Sequence, residues 1–215
     1  KTRKFCGLSS YIPHALGYFY QGGFAEYMII PEEAVKGNNI IKVPEKLDFV
    51  DVSLIEPLSC VINGQDYLNI KKGDTVVVIG AGPIGCMHAE LARVAGAKQV
   101  ILFDISDIRL NLAKRFEKIP LINSSKENPV KKVMEITGNA GADVVIVACG
   151  VNNAQEQAVE MSGKKARVSF FAGLPKDNPY IKFDSNAIHY KEISIFGAFA
   201  SYRKQYEKAI DLISS

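Results

Sequence analysis

Thr75-Val76-Val77-Val78-Ile79-Gly80-Ala81-Gly82-Pro83-Ile84-Gly85 is a β-branched apolar run that leads straight into G-x-G-x-x-G, and a helical pattern follows it. Strand, tight turn and helix start in that order form the context in which the glycine pattern signals a dinucleotide. Gly80 permits the turn, Gly82 lets a pyrophosphate approach the backbone, and Gly85 lets the helix pack on the strand. Pro83 suits the first helical position, where no amide hydrogen is missed. Ile84 and Gly85 then present their N–H groups, with the positive end of the helix dipole, to phosphate oxygens.

A second signal is independent of the glycines. Val100-Ile101-Leu102-Phe103 reads as the next strand, and Asp104 closes it about 20 residues beyond Gly85, where a carboxylate meets the adenosine ribose. Asp104 accepts from the ribose hydroxyls and repels a 2′-phosphate, which favours NAD over NADP. The competing reading is that Asp104 caps a helix beginning near Ser106. Arg109 pulls the other way on the cofactor, since an arginine there can reach a 2′-phosphate; Ser106 and Arg109 are both expected at the adenosine end.

Downstream, strand and helix alternate. Helical patterns run from Ile84 to Val94, from Asp107 to Phe116, from Asn128 to Ile136, from Asn153 to Met161 and from Tyr202 to Ile213. Strands are expected at Leu121-Ile122, from Asp143 to Val147, from Ala166 to Phe171 and from Ile193 to Phe196. Continuous apolar strands between helices indicate a parallel sheet covered on both faces, the α/β doubly wound class. Ligands of such sheets lie beyond the carboxyl ends of the strands, which directs attention to Cys149-Gly150, Ala172-Gly173-Leu174 and Phe196-Gly197-Ala198-Phe199.

Upstream, Phe24 to Ile30 alternates well enough for a strand, Pro31-Glu32-Glu33 can open a helical turn, and Ile40 to Val43 reads as a strand stopped by Pro44. A helical pattern from Asp48 to Leu68, with Asp48 as N-cap, is interrupted at Glu56-Pro57.

The 215 residues are 47% hydrophobic and 23% charged, with a net charge of +3, the balance of a globular domain able to bury a core. That charge is too small and dispersed for nucleic acid, and no apolar run is long enough to span a bilayer. No targeting pattern opens the chain, so the cytoplasm is the default expectation. The opening residues read as if cut from a longer protein. Cys6, Cys60, Cys86 and Cys149 form no C-x-x-C, and the last three are expected to be buried free thiols. His14, His88 and His189 show no ligand spacing; His14, in an aromatic loop, keeps a minor claim to proton handling.

Taken together, the residues resemble the medium-chain zinc-dependent alcohol dehydrogenases, in particular the sorbitol and threonine dehydrogenase branch. The carriers are Gly22-Gly23-Phe24-Ala25-Glu26-Tyr27, Glu56-Pro57-Leu58-Ser59-Cys60, the stretch from Gly73 to Gly85, the stretch from Asp104 to Leu110, and Gly141-Ala142-Asp143-Val144-Val145 with Cys149-Gly150. The resemblance implies a Rossmann domain over residues 58–200. Residues 1–57 would be remnants of a GroES-like, β-rich catalytic domain, and residues 201–215 the start of the return to it. It implies NAD and zinc as cofactors, Glu56 as a zinc-side catalytic residue and metal ligand, and Gly173, Leu174 and Ala198 beside the nicotinamide. The early cysteine, the Gly-His-Glu segment and the four-cysteine lobe of the family do not occur, and the expected remaining zinc ligands therefore fall in a missing N-terminal part. A further departure is Phe116-Glu117-Lys118-Ile119-Pro120, where relatives end the helix with Gly-Ala.

The implied activity is hydride transfer between NAD and a secondary alcohol, a polyol before a 3-hydroxy amino acid, in a homo-oligomer (dimer or tetramer) that binds neither nucleic acid nor membrane. Two alternatives stand beside it: an isolated NAD-binding fragment without activity, and a zinc-free NADPH reductase of quinones or enones.

Overall fold

The computed structural model describes residues 16–17, 20–116 and 119–215. These divide into two compact units. One comprises the described residues up to Asn63 together with Phe199–Ser215, and the other is Gly64–Ala198.

The Gly64–Ala198 unit is built on six parallel strands, β1 Thr75–Ile79, β2 Gln99–Asp104, β3 Leu121–Asn123, β4 Ala142–Val147, β5 Ser162–Phe170 and β6 Ser194–Gly197. Their spatial order is β3-β2-β1-β4-β5-β6. The chain moves outward from β1 to β3, then returns to lay β4 on the other side of β1. The strand order therefore reverses between β1 and β4, and a crevice opens there at the carboxyl ends. This is the doubly wound α/β Rossmann arrangement.

Because side chains alternate across a strand, the central strands feed two cores. Val77, Ile79, Ile101, Phe103, Val145 and Val147 point to one face and Val76, Val78, Val100, Leu102, Val144 and Ile146 to the other, all buried. The first face is covered by α6 Pro129–Ile136, α7 Asn152–Glu160 and α8 Ser185–Lys191, through Val133, Ala154, Ala158, Val159 and Ile188. The second is covered by α4 Pro83–Val94 and α5 Asp107–Ala113, through Ala89, Ala92, Leu110 and Ala113. Each fully buried aliphatic or aromatic side chain in these layers contributes about 1.5–3 kcal/mol.

In the other unit, α1 is Glu32–Lys36, α2 Phe49–Ser53, α3 Ile55–Asp66 (which runs on into the first residues of the sheet-bearing unit) and α9 Arg203–Ser214. Asp48 caps α2, accepting the Asp51 N–H at 2.8 Å. The interruption falls at Leu54 rather than at Glu56-Pro57. Pro57 sits in the first turn of α3, where its missing amide costs nothing.

Two expected strands do not form. Phe24 to Ile30 and Ile40 to Val43 pair with no neighbour among the described residues, and Phe24, Tyr27 and Ile29 are solvent-exposed. Alternation makes a strand only when another strand takes its backbone hydrogen bonds. No helix among the described residues is long and apolar enough to cross a membrane.

Candidate functional site

The glycine turn is held by backbone geometry that side chains would obstruct. Gly80 adopts φ 110°, and a Cβ on Gly85 would stand 1.7 Å from the Gly80 carbonyl oxygen. Helix α4 therefore begins tight against the end of β1. Its first intrahelical bond runs from the Cys86 N–H to the Gly82 carbonyl at 2.9 Å, with Pro83 in the first turn. The amides of Ile84 and Gly85 precede that bond and face outward from the helix end. A Cβ on Gly82 would meet nothing within 4 Å. An open face over Gly82, beside unsatisfied amides at a helix N-terminus, fits a bound pyrophosphate.

Asp104 ends β2 one strand away. Its Oδ2 accepts the Ala81 N–H at 2.7 Å and its Oδ1 accepts the Ser106 N–H at 2.8 Å. The carboxylate thus ties the glycine turn to the start of α5, and its remaining lone pairs stay available to a ligand. The helix cap is Ser106, whose Oγ accepts the Arg109 N–H at 3.4 Å, so Asp104 is not the cap. Arg109, itself exposed, places Nη1 3.6 Å from Asp104 Oδ2.

The other strand ends converge on the same edge of the sheet. The Ala148 N–H donates to the Ile79 carbonyl at 2.8 Å and the Ala172 N–H to the Val147 carbonyl at 3.0 Å, which carries the β1, β4 and β5 register into the loops. A Cβ on Gly80 would lie 3.4 Å from Cys149 Cβ, and one on Gly150 would lie 2.7 Å from the Gly173 carbonyl. Gly80, Cys149 and Gly173 are therefore drawn together; Leu174 follows Gly173, and Ala198 follows the edge strand β6. Burial, reinforced by the Asp104 charge, pushes the Cys149 thiol above its ordinary pKa, so it is a neutral thiol beside the turn rather than a nucleophile.

Glu56 belongs to the other unit, in the first turn of α3. Cys60, one turn on, directs Sγ to Glu56 Oε1 at 3.5 Å. Ser59 donates to the Glu56 carbonyl at 2.7 Å and lies 2.7 Å, oxygen to oxygen, from Ser201. Burial and then the Glu56 charge push the Cys60 thiol up to about 11. Among the described residues no group of three or more His, Cys, Asp or Glu gathers at metal-binding distance. Glu56 and Cys60 are an oxygen and a sulfur donor of the kind zinc takes, but two donors are not a complete site.

Cys60, Cys86 and Cys149 are half-buried rather than buried: Cys86 lies in the first turn of α4, Cys149 just after β4, and Cys60 mid-way along α3 on a partly exposed face. His88 is buried in the edge of Phe171, with ring centroids 4.4 Å apart, and its Nδ1 faces the Gln65 amide at 3.3 Å. His189 meets Tyr190 edge to face, while Cys6 and His14 lie outside the described residues. The contact of Cys60 with Glu56 was not anticipated from the sequence, although a spacing of four on a helix signals one shared face.

The family model for zinc-binding dehydrogenases matches residues 83–215, from the glycine turn to the last helix. The chain belongs to that family. It is 31% identical over 227 residues to a sorbitol dehydrogenase of Halalkalibacterium halodurans, a match covering 99% of this chain and 63% of the relative. Among solved structures, a zinc-binding dehydrogenase of Sinorhizobium meliloti bound to NADP superposes with a TM-score of 0.82 at 29% identity, covering 93% of this chain and 57% of that one. An alcohol dehydrogenase of E. coli complexed with NADH gives 0.81 at 29% identity, covering 94% and 57%. The chain thus spans little more than half the length of the proteins it matches.

Proposed function

We propose that this chain carries the NAD-binding domain, over residues 58–200, and part of the catalytic domain, over residues 1–57 and 201–215, of an oxidoreductase acting on secondary alcohols. A polyol is the favoured substrate. The observation that carries the reading is the Asp104 carboxylate, fixed at the end of β2 by the Ala81 and Ser106 amides beside an open glycine turn. When bound, NAD supplies the hydride acceptor. The chain's own part is positional: the Ile84 and Gly85 amides at the start of α4 hold the pyrophosphate, and Asp104 takes the adenosine ribose. Ser106 and Arg109 flank the ribose, while Cys149, Gly173, Leu174 and Ala198 border the nicotinamide.

Asp104 repels a 2′-phosphate and Arg109 attracts one. We favour NAD because the carboxylate is fixed by two amides, whereas the exposed arginine has only a 3.6 Å ion pair to that same carboxylate. The polyol preference is supported by the sorbitol dehydrogenase relative. Glu56 is assigned to the zinc side of the catalytic domain, and a homo-oligomer in the cytoplasm completes the proposal.

Calorimetric titration of the 215-residue chain is expected to give a dissociation constant for NAD at least tenfold below that for NADP, a difference of about 1.4 kcal/mol. Asp104→Ala is expected to lose about 1.5–3 kcal/mol of NAD affinity, the range for hydrogen bonds to a charged group. Tighter binding of NADP would refute the cofactor assignment. Polyol oxidation by metal-free protein would refute the zinc assignment, and light scattering that found a monomer at micromolar concentration would refute the oligomer.

A further inference from the structure

Between β5 and α8, residues 171–184 form neither helix nor strand, yet one helix tethers this connection along its length. On α7, Gln155 donates from Nε2 to the Ala172 carbonyl at 3.1 Å. Asn152 donates from Nδ2 to the Asn178 and Tyr180 carbonyls at 3.0 and 2.7 Å, and Glu156 Oε1 accepts the Lys182 N–H at 2.8 Å. Positions three and four apart share a helix face, so one rigid element carries all three tethers. We propose that Gln155 is a positioning residue for the nicotinamide: through the Ala172 carbonyl it fixes the loop Gly173-Leu174 against the ring. This role rests on the assignment of Gly173 and Leu174 to the nicotinamide border, and it names the side chain that holds them there.

Three features set Gln155 apart from its companions on that face. It is 4% exposed, whereas Asn152 and Glu156 are half-buried. A buried amide that loses its carbonyl leaves both groups unpaired, so the bond to Ala172 is a firm one. The Ala172 residue is also held from its other side, its N–H donating to the Val147 carbonyl at 3.0 Å. Just upstream, the Phe171 ring occupies the space of a Gly64 Cβ, which would stand 2.8 Å from it, and meets His88 edge to face with centroids 4.4 Å apart.

The residue that follows these anchors is backed on one side and open on the other. The Gly173 carbonyl lies 2.7 Å from where a Gly150 Cβ would be, while a Cβ on Gly173 itself would meet nothing within 4 Å. A loop fixed from behind with a free face suits a planar ring laid against it. Gln155 touches no reacting atom. It keeps the loop ordered before the cofactor arrives, and so lowers the ordering cost of binding.

Titration of the full 215-residue chain with NADH and with ADP-ribose, which lacks the nicotinamide, tests this role. NADH fluorescence reports the ring's surroundings, since a reduced nicotinamide shielded from water emits more strongly and at shorter wavelength. The wild type is expected to bind both ligands and to show that enhancement. Gln155→Met keeps the side chain's length and removes its donor. It is expected to lose most of the enhancement and raise the NADH dissociation constant about fivefold, while that for ADP-ribose stays within about twofold. Gln155→Asn keeps an amide but shortens it out of reach of Ala172. The same split is expected there, and it decides the matter if circular dichroism shows Gln155→Met unfolded. Equal weakening of both ligands, or an NADH signal unchanged in both variants, overturns the positioning role. A wild type that binds ADP-ribose and NADH without any fluorescence change overturns it too, because the ring then lies away from the loop. A wild type that binds neither ligand refutes the cofactor assignment itself, and the role of Gln155 falls with it.

Discussion

Residue by residue, the clearest energetic commitment is His88. It stands on α4 against Gln65 and Phe171, fully buried, with Nε2 lacking a hydrogen-bond partner. Burial pushes its pKa down to about 3. An unfolded chain takes up the same proton near pH 6.5. Between those values the unfolded state binds the proton and the native state does not, so acid favours unfolding. His88 therefore costs nothing above pH 6.5, and its penalty grows as pH falls toward 3. At pH 5 the loss is about 2 kcal/mol. Urea unfolding of wild-type and His88→Leu proteins at pH 7 and pH 5 checks this. The stability of the wild type relative to the variant is expected to fall by about 2 kcal/mol, and an unchanged gap would mean that the native histidine is protonated in place. The sequence showed only that His88 lies on the helix after the glycine turn. Its burial depends on Phe171, which follows β5 far along the chain, and no local pattern encodes that meeting.

Between elements, two residues from distant segments secure the packing. Arg167 on β5 donates through Nη1 to the Leu68 and Asn69 carbonyls at 2.6 and 2.8 Å, and through Nη2 to Asp74 at 2.8 Å. The turn before β1 is thereby tied to β5, although the two strands are not neighbours. Both side chains are mostly buried, so removing one leaves the other uncompensated. Arg167→Ala is expected to cost about 3–5 kcal/mol in urea denaturation, well above the median of an exposed ion pair. Ala200, just before α9, holds φ 56°, and its carbonyl accepts from Asn63 on α3 at 2.8 Å. A left-handed alanine costs roughly 1–2 kcal/mol. Ala200→Gly relieves that strain but loosens the unfolded chain, and a net gain of about 0.5 kcal/mol in unfolding free energy is expected; a loss would show that the turn is not strained. At this scale, helices with caps and strands with buried runs were legible. Helix α8 was not anticipated, since its cap Asp184 and left-handed exit Glu192 carry no glycine or proline signal. The supposed strands near Phe24 and Ile40 failed for the opposite reason: their alternation was present, and among the described residues no strand pairs with them.

Across the whole molecule, both apolar cores lie inside Gly64–Ala198, and every buried side chain in them comes from that stretch. Its sheet order could be anticipated because the strand–helix alternation around one glycine turn admits few right-handed parallel arrangements. Glu56, proposed for the metal side, could not be placed from sequence in the same way, because the surroundings of such a residue are assembled from distant parts of a chain. This division makes a direct prediction about independence. The proposed cofactor residues from Gly80 to Ala198 all belong to the sheet-bearing unit, while Glu56 does not. Residues 64–198 produced alone are expected to unfold in one cooperative transition, because the cores need no side chain from outside. The fragment should bind NAD within about threefold of the 215-residue chain, a difference below roughly 0.7 kcal/mol. Calorimetry on the two proteins decides the matter. A cooperative fragment that has lost NAD binding would place an essential cofactor contact outside residues 64–198, and a fragment that melts without cooperativity would show that the cores depend on the rest of the chain.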